Sequence, residues 1–216
     1  MGAQEHYDKA YFEWQKSIGT FGGRVNLVHF KDYCQPDFNV IDFGCGGGYL
    51  LSNLNCKERI GIEINPRAQD EVRAKGITVY SKAEEVPNEW ADLIISDNAL
   101  EHTLQPFSEI KQLYLKLKKG GLIVFVVPCE SISVKYKPKD INQHLYSWSP
   151  MCIGNLFSQA GFKVVSSKAY LHKWPPLFYT QIRQLLGGRV FEFLCRIWGR
   201  MSRSWFQVRV VARKPE

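Results

Sequence analysis

The residues of this chain that could do chemistry fall in three places. The first is Val40-Ile41-Asp42-Phe43-Gly44-Cys45-Gly46-Gly47-Gly48, where an apolar strand pattern ends in an acid and runs into glycines at alternate positions. Glycines so spaced allow a sharp turn and let a bulky ligand lie against the main chain with no Cβ in the way. The helix expected to follow would add its free N–H groups, making Gly44, Cys45, Gly46 and Gly48 candidate cofactor-binding positions. A second strand pattern, Arg59-Ile60-Gly61-Ile62-Glu63, places a carboxylate 21 positions after Asp42. That is the span of one strand-helix-strand unit, and it puts Glu63, with Ile64 beside it, where an acid grips ribose hydroxyls.

The second place is Ile94-Ile95-Ser96-Asp97-Asn98-Ala99-Leu100-Glu101-His102. Ser96, Asp97 and Asn98 end a fourth strand pattern and are expected to face the reacting group, with Asp97 either a base or acceptor orienter or the cap of the next turn. His102 is expected beside the cofactor pocket, as a structural histidine or on the substrate side. The third place is Asp140-Ile141-Asn142-Gln143-His144-Leu145-Tyr146-Ser147-Trp148-Ser149-Pro150, which follows Lys135, Lys137 and Lys139. An imidazole titrates near neutrality and suits proton removal from a hydroxyl or ammonium, so His144 leads the catalytic candidates, with Gln143, Tyr146 and Trp148 as substrate contacts. The alternative is that His144 and Tyr146 latch the loop onto the helix starting at Pro150.

Asp42 selects among cofactors. A dinucleotide puts its pyrophosphate at such a turn, where a carboxylate would repel it, whereas a donor carrying a sulfonium and an ammonium is favoured there. The segments Asp42 to Gly48, Glu63, and Ala91 to His102 together resemble the first motif, ribose acid and fourth motif of class I S-adenosylmethionine-dependent methyltransferases, a likeness that runs from about residue 36 to the C-terminus. The resemblance implies S-adenosyl-L-methionine as cofactor and in-line transfer of its methyl to the oxygen or nitrogen of a small-molecule or glycan acceptor. It also implies a Rossmann-like α/β fold: a seven-stranded, mostly parallel sheet of order 3-2-1-4-5-7-6 with helices on both faces. Many members carry an adenine-binding acid after the third strand. Here Lys82 stands in its place and cannot accept that bond, which leaves a backbone carbonyl or Glu84. An NAD(P)-dependent oxidoreductase and a catalytically silent binding module of the same fold are the other two readings, and Asp42 argues against the first.

These residues need strands and helices to position them. With 216 residues, 45% of them apolar, the chain suits one α/β domain. Strand patterns fall near 39 to 43, 58 to 63, 77 to 80, 91 to 96, 122 to 127, 162 to 171 and 205 to 211, separated by helices. An opening helix carries Tyr7, Tyr11, Phe12 and Trp14, and a second helix covers Val25 to Tyr33, the two forming a cap over about 1–35. A helix from Pro106 is stopped by Lys118-Lys119-Gly120-Gly121, and another runs from Ser149-Pro150 to Gly161. No apolar run reaches membrane-spanning length, and the polar N-terminus carries no signal-peptide pattern, so a cytoplasmic protein is expected. Six cysteines without a C-x-x-C pair suggest neither a disulfide framework nor a metal site.

The net charge of +7 is uneven, with five arginines and one acid between Arg183 and Arg203. No nucleic-acid module is recognisable, and no nucleic-acid partner is expected. From Pro175 to Arg203 apolar residues recur at spacings of three and four, giving an inserted amphipathic helix or two, broken at Gly187-Gly188. Its apolar stripe packs on the core or a second subunit, or contacts a membrane surface or lipid-linked acceptor through 176–203. The sequence is silent on oligomeric state.

Overall fold

A computed structural model describes residues 9–138, 140–202 and 205–216. Tyr7, Lys139 and Arg203 lie outside them. Strands β1 (Asn39–Phe43), β2 (Glu58–Ile62), β3 (Thr78–Tyr80), β4 (Ala91–Asp97), β5 (Leu117–Glu130), β6 (Lys163–Ala169) and β7 (Trp205–Arg213) make one sheet of order β3-β2-β1-β4-β5-β7-β6. The first five strands pair in parallel, and β7 lies antiparallel between β5 and β6. This is the order the resemblance implies.

Side chains alternate between two buried faces. Val40, Leu93, Ile95, Val124 and Val126 point one way, and Ile41, Phe43, Ile94, Ile123 and Phe125 the other. A sheet covered on both faces needs such continuous apolar runs, and burial of each side chain contributes about 1.5–3 kcal/mol. The covering helices are α1 (Lys9–Val25), α2 (Pro66–Ala74), α3 (Pro106–Lys116), α4 (Pro150–Gln159) and α5 (Tyr179–Met201). Proline opens α2, α3 and α4, where its missing N–H is harmless. Asn65 and Ser149 cap α2 and α4 by accepting the backbone N–H groups of Arg67 and Cys152.

Four local expectations change. No α-helix follows the glycine turn; residues Leu51–Asn53 form a single 3-10 turn instead. The Ser52 hydroxyl and the Asn53 amide both donate to the Tyr49 carbonyl, at 3.1 and 2.7 Å, occupying the acceptor that a helix would offer to the Asn53 N–H. The β3–β4 connection likewise holds only a 3-10 turn, Ala83–Glu85. The segment after α1 is a pair of 3-10 turns, Asn26–His29 and Lys31–Tyr33, the tight geometry common at helix ends. Finally, β5 begins at Leu117 rather than Leu122. Lys118 to Gly121 form a bulge across which pairing jumps from Ala91–Leu117 to Leu93–Leu122, with Gly120 at φ 72°. The expected break in the inserted helix is present as a kink at Gly187, φ 76° and ψ 169°.

Candidate functional site

Two clefts open beyond the carboxyl ends of the strands, and they share Ile18, Asn26, Asp97 and Trp174 as a common wall. Asp42, Gly44, Cys45, Gly46 and Gly47 line the first. Gly44, Gly46 and Gly48 sit at φ 71°, 52° and 71°, the left-handed region that glycine enters without strain. A Cβ on Gly44 would also collide with the Cβ of Ala99. Glu63 braces this turn. One of its carboxylate oxygens accepts the Gly46 N–H at 2.9 Å, and the other accepts the Asn65 N–H at 2.8 Å, where α2 begins.

Asp42 and Asp97 line this cleft together with Lys16, whose ammonium is paired to Glu71. Burial raises the Asp42 carboxyl well above its ordinary value, and the charges of Asp97 and Glu63 push it further. Burial also raises Glu63, against the pull of its backbone N–H partners. A cationic ligand would favour the ionised forms of the buried Asp42 and Glu63 carboxyls. Cys45 is a buried thiol whose acidity is suppressed by burial, so it acts here as a small neutral surface.

Asp97 ends β4 at the junction of the clefts. The side-chain amides of Asn26 and Asn98 donate to its two oxygens at 2.7 and 3.0 Å, and the Nδ1 of His29 stands 3.5 Å away. From His29 a line of polar groups leads inward: its Nε2 lies 3.3 Å from Nδ1 of buried His172, whose Nε2 lies 2.8 Å from Glu192 of α5.

The second cleft, about 600 Å³, is lined by four of the five histidines, His29, His102, His144 and His172, together with Tyr170, Trp174 and Asn142. His102 and His144 meet edge to face, ring centres 5.1 Å apart, over Glu101. Glu101 is fully buried, and burial raises its carboxyl to about 8, with the charges of Asp97 and Glu130 adding to the shift. Its carbonyl accepts the N–H groups of Leu145 and Tyr146 at 2.9 and 3.2 Å, which fastens the 140–149 loop onto the Leu100–His102 turn and sets His144 above the carboxylate. Glu130, at the end of β5, holds Nδ1 of His144 at 2.7 Å.

This geometry joins a cation-favouring glycine-turn cleft to a polar chamber. A family model described as a methyltransferase domain matches residues 15–167. The chain belongs to that methyltransferase family. A ribosomal protein L11 methyltransferase from Paraburkholderia phytofirmans is 27% identical over 108 residues, covering 46% of this chain, and the match spans about a third of that relative (35%). Among solved structures, a SAM-dependent methyltransferase from Thermotoga maritima superposes with a TM-score of 0.70 at 18% identity, covering 99% of this chain and 100% of the other. Phosphoethanolamine N-methyltransferase 2 of Haemonchus contortus, solved with S-adenosyl-L-methionine, gives 0.70 at 15% identity, covering 100% of this chain and 60% of that one. These likenesses speak to the fold.

The fold brings several of the residues singled out in the sequence to one place and leaves others apart. Asp42, Gly44, Cys45, Gly46 and Asp97 line the first cleft, and Asp97, His102 and His144 the second. Ser96 is fully buried and its hydroxyl donates to the Phe43 carbonyl at 2.8 Å, tying β4 to β1. Ile64 and Glu84 are exposed, and the Glu84 carbonyl lies within 3.4 Å of Lys116 Nζ. Trp148 is buried in the core and stacks on Tyr146, whose hydroxyl donates to the Leu104 carbonyl. Tyr146 thus ties the loop to the segment before α3, whereas the latching expected of His144 and Tyr146 was onto the helix starting at Pro150. Gln143 is exposed at φ 44°, and its neighbour Asn142 faces the cleft. Sequence reasoning passed over Asn26, His29, Glu101, Glu130 and His172. The one signal available was that a chain with only five histidines places three of them, His29, His102 and His172, at or just past the ends of elements.

Proposed function

We propose that this methyltransferase domain passes the methyl group of S-adenosyl-L-methionine to a hydroxyl or amine of a small-molecule or glycan-type acceptor. The donor occupies the glycine-turn cleft, its sulfonium and ammonium compensating Asp42, Glu63 and Asp97, and its ribose reaching the lone pairs that Glu63 retains. The observation that carries the reading is the shared wall of the two clefts at Asn26 and Asp97, which lets a donor in one face an acceptor in the other. A chamber of about 600 Å³ has the size of a small-molecule site, and its mixture of aromatic faces with Asn142, Gln207 and Lys173 suits a polar, hydroxyl-rich acceptor.

Methyl transfer asks the protein mainly to align nucleophile, carbon and sulfur and to exclude water, since the sulfonium already activates the methyl. Activation of the acceptor falls to His144, oriented by Glu130, while Asp97, held by two amides, positions the acceptor at the junction. Calorimetry with S-adenosylhomocysteine, followed by methyl-transfer assays on hydroxylated and aminated acceptors, tests this. Binding of a pyridine nucleotide in place of S-adenosylhomocysteine would reject it.

The outer side of α5 favours a second reading, concerned with where the acceptor resides. Gly199 on its inner side lines the acceptor cleft, while Val190, Phe193 and Ile197 are exposed on the same helix as Arg189, Arg196 and Arg200. Apolar side chains among cations suit an anionic lipid surface, each cation adding about 1 kcal/mol near it. No helix among the described residues is long and apolar enough to cross a membrane. Co-sedimentation with anionic vesicles but not with zwitterionic ones is expected, and Phe193→Ala should weaken it. No binding to either vesicle removes this reading.

A further inference from the structure

We propose that Glu101, His102 and His144 form a binding site for one divalent transition cation, which acidifies the acceptor hydroxyl. This rests on the acceptor-activating role just given to the second cleft and specifies how His144 performs it. One ligand atom from each of the three residues lies within 4.8 Å of the other two. The Nε2 atoms of His102 and His144 stand 3.9 and 4.0 Å from the same carboxylate oxygen, Oε1 of Glu101. Metal–ligand bonds of about 2.1 Å put tetrahedral ligand atoms about 3.4 Å apart, so each imidazole nitrogen needs to approach the carboxylate oxygen by about half an ångström.

Two further observations point to a cation at this position. Glu101 is 0% exposed, and neither of its carboxylate oxygens has a hydrogen-bond donor among the described residues. A buried carboxyl left without donors ionises only at a cost, which a cation bound to it would offset. Glu130 meets His144 from the opposite side of the ring, at Nδ1. A carboxylate accepts there, so Nδ1 carries the proton and Nε2 presents its lone pair toward Glu101, the carboxylate–histidine–metal arrangement that fixes a ligand's tautomer. Two imidazoles and one carboxylate with open positions select a divalent transition metal and leave room for a substrate oxygen. Ligands 1 and 42 positions apart make no compact sequence motif, and the spacing of the cysteines carries no sign of them.

In the reaction, the acceptor hydroxyl oxygen joins the cation and loses its proton to solvent in the open cleft. The resulting alkoxide oxygen forms a bond to the methyl carbon as the carbon–sulfur bond breaks. The electron pair of that bond stays on sulfur, so the sulfonium becomes a neutral thioether.

The test is cobalt(II) titration of chelator-stripped protein, followed by visible absorption, with the metal counted by plasma mass spectrometry. About one equivalent per chain is expected, with Glu101→Gln and His102→Ala each weakening uptake at least about tenfold. Glu130→Gln, which alters no ligand and leaves the buried carboxylate in place, is expected to weaken it about 10- to 100-fold. S-adenosylhomocysteine binding, measured on the same samples, should persist in all four proteins and so separates this proposal from the donor assignment. Failure of that binding in the wild type rejects the methyl-transfer reading. Its persistence with no cobalt uptake, or with equal uptake by the wild type and the three variants, overturns the cation site alone.

Discussion

The donor side and the acceptor side of this molecule are built by opposite means. The donor cleft is made largely by two continuous stretches, Lys16 to Asn26 along and just past α1 and Asp42 to Leu50, and much of its shape comes from the main chain: left-handed glycines, a Cβ-free approach to Ala99, and backbone N–H groups gathered by Glu63. The acceptor chamber is made of side chains from distant elements, such as His29 and His172, 143 positions apart, paired to carboxylates on other segments. The first should therefore tolerate almost no added atoms. The second should tolerate substitution in its fold but not in its chemistry.

The largest expected effect lies on the donor side. Gly44→Val forces a β-branched residue to φ 71° and drives it into Ala99. Strain and overpacking together should remove roughly 2 to 6 kcal/mol, lowering Tm by about 10 °C and abolishing S-adenosylhomocysteine binding. A variant that kept wild-type Tm and binding would break the contrast. Next comes the acceptor side: His144→Ala should lower kcat about 10²- to 10⁴-fold, the usual range for loss of a proton-handling group, with S-adenosylhomocysteine affinity within about threefold of wild type. Glu63→Gln should do the reverse. Losing a charged acceptor for the Gly46 and Asn65 N–H groups and for ribose should weaken the donor product by about 1.5–3 kcal/mol, roughly 10- to 100-fold, while kcat at saturating donor changes only a few-fold.

That difference in construction also explains what could be read from the sequence. The strand order followed from the family resemblance, while the apolar strand runs, the glycine turn, Glu63 and the Gly187 break were visible as local pattern because each is made by neighbours in the chain. The helix after the glycine turn was not to be had from pattern, since Ser52 and Asn53 divert the Tyr49 carbonyl by side-chain bonds. Glu101 reads as one acid in a run, and only the fold reveals that it is buried beneath His102 and His144. Asn26 and His29 sit just past a helix end, and nothing local says that they meet Asp97, 71 positions beyond Asn26.

The smallest effect probes whether the two sides are independent. Ser149 caps α4 through the Cys152 N–H at 3.1 Å, and directly before it Trp148 anchors the loop carrying His144, its N–H donating to the Pro128 carbonyl at 2.9 Å. Ser149→Ala should cost about 1 kcal/mol, or about 2–4 °C in Tm. If Trp148 and the Glu101 carbonyl hold the loop by themselves, kcat and S-adenosylhomocysteine affinity stay at wild-type values despite the lost cap. A fall in kcat at unchanged affinity would mean that the acceptor chamber draws its order from α4, and that its chemistry is less tolerant of change in the fold than four separate anchoring contacts imply.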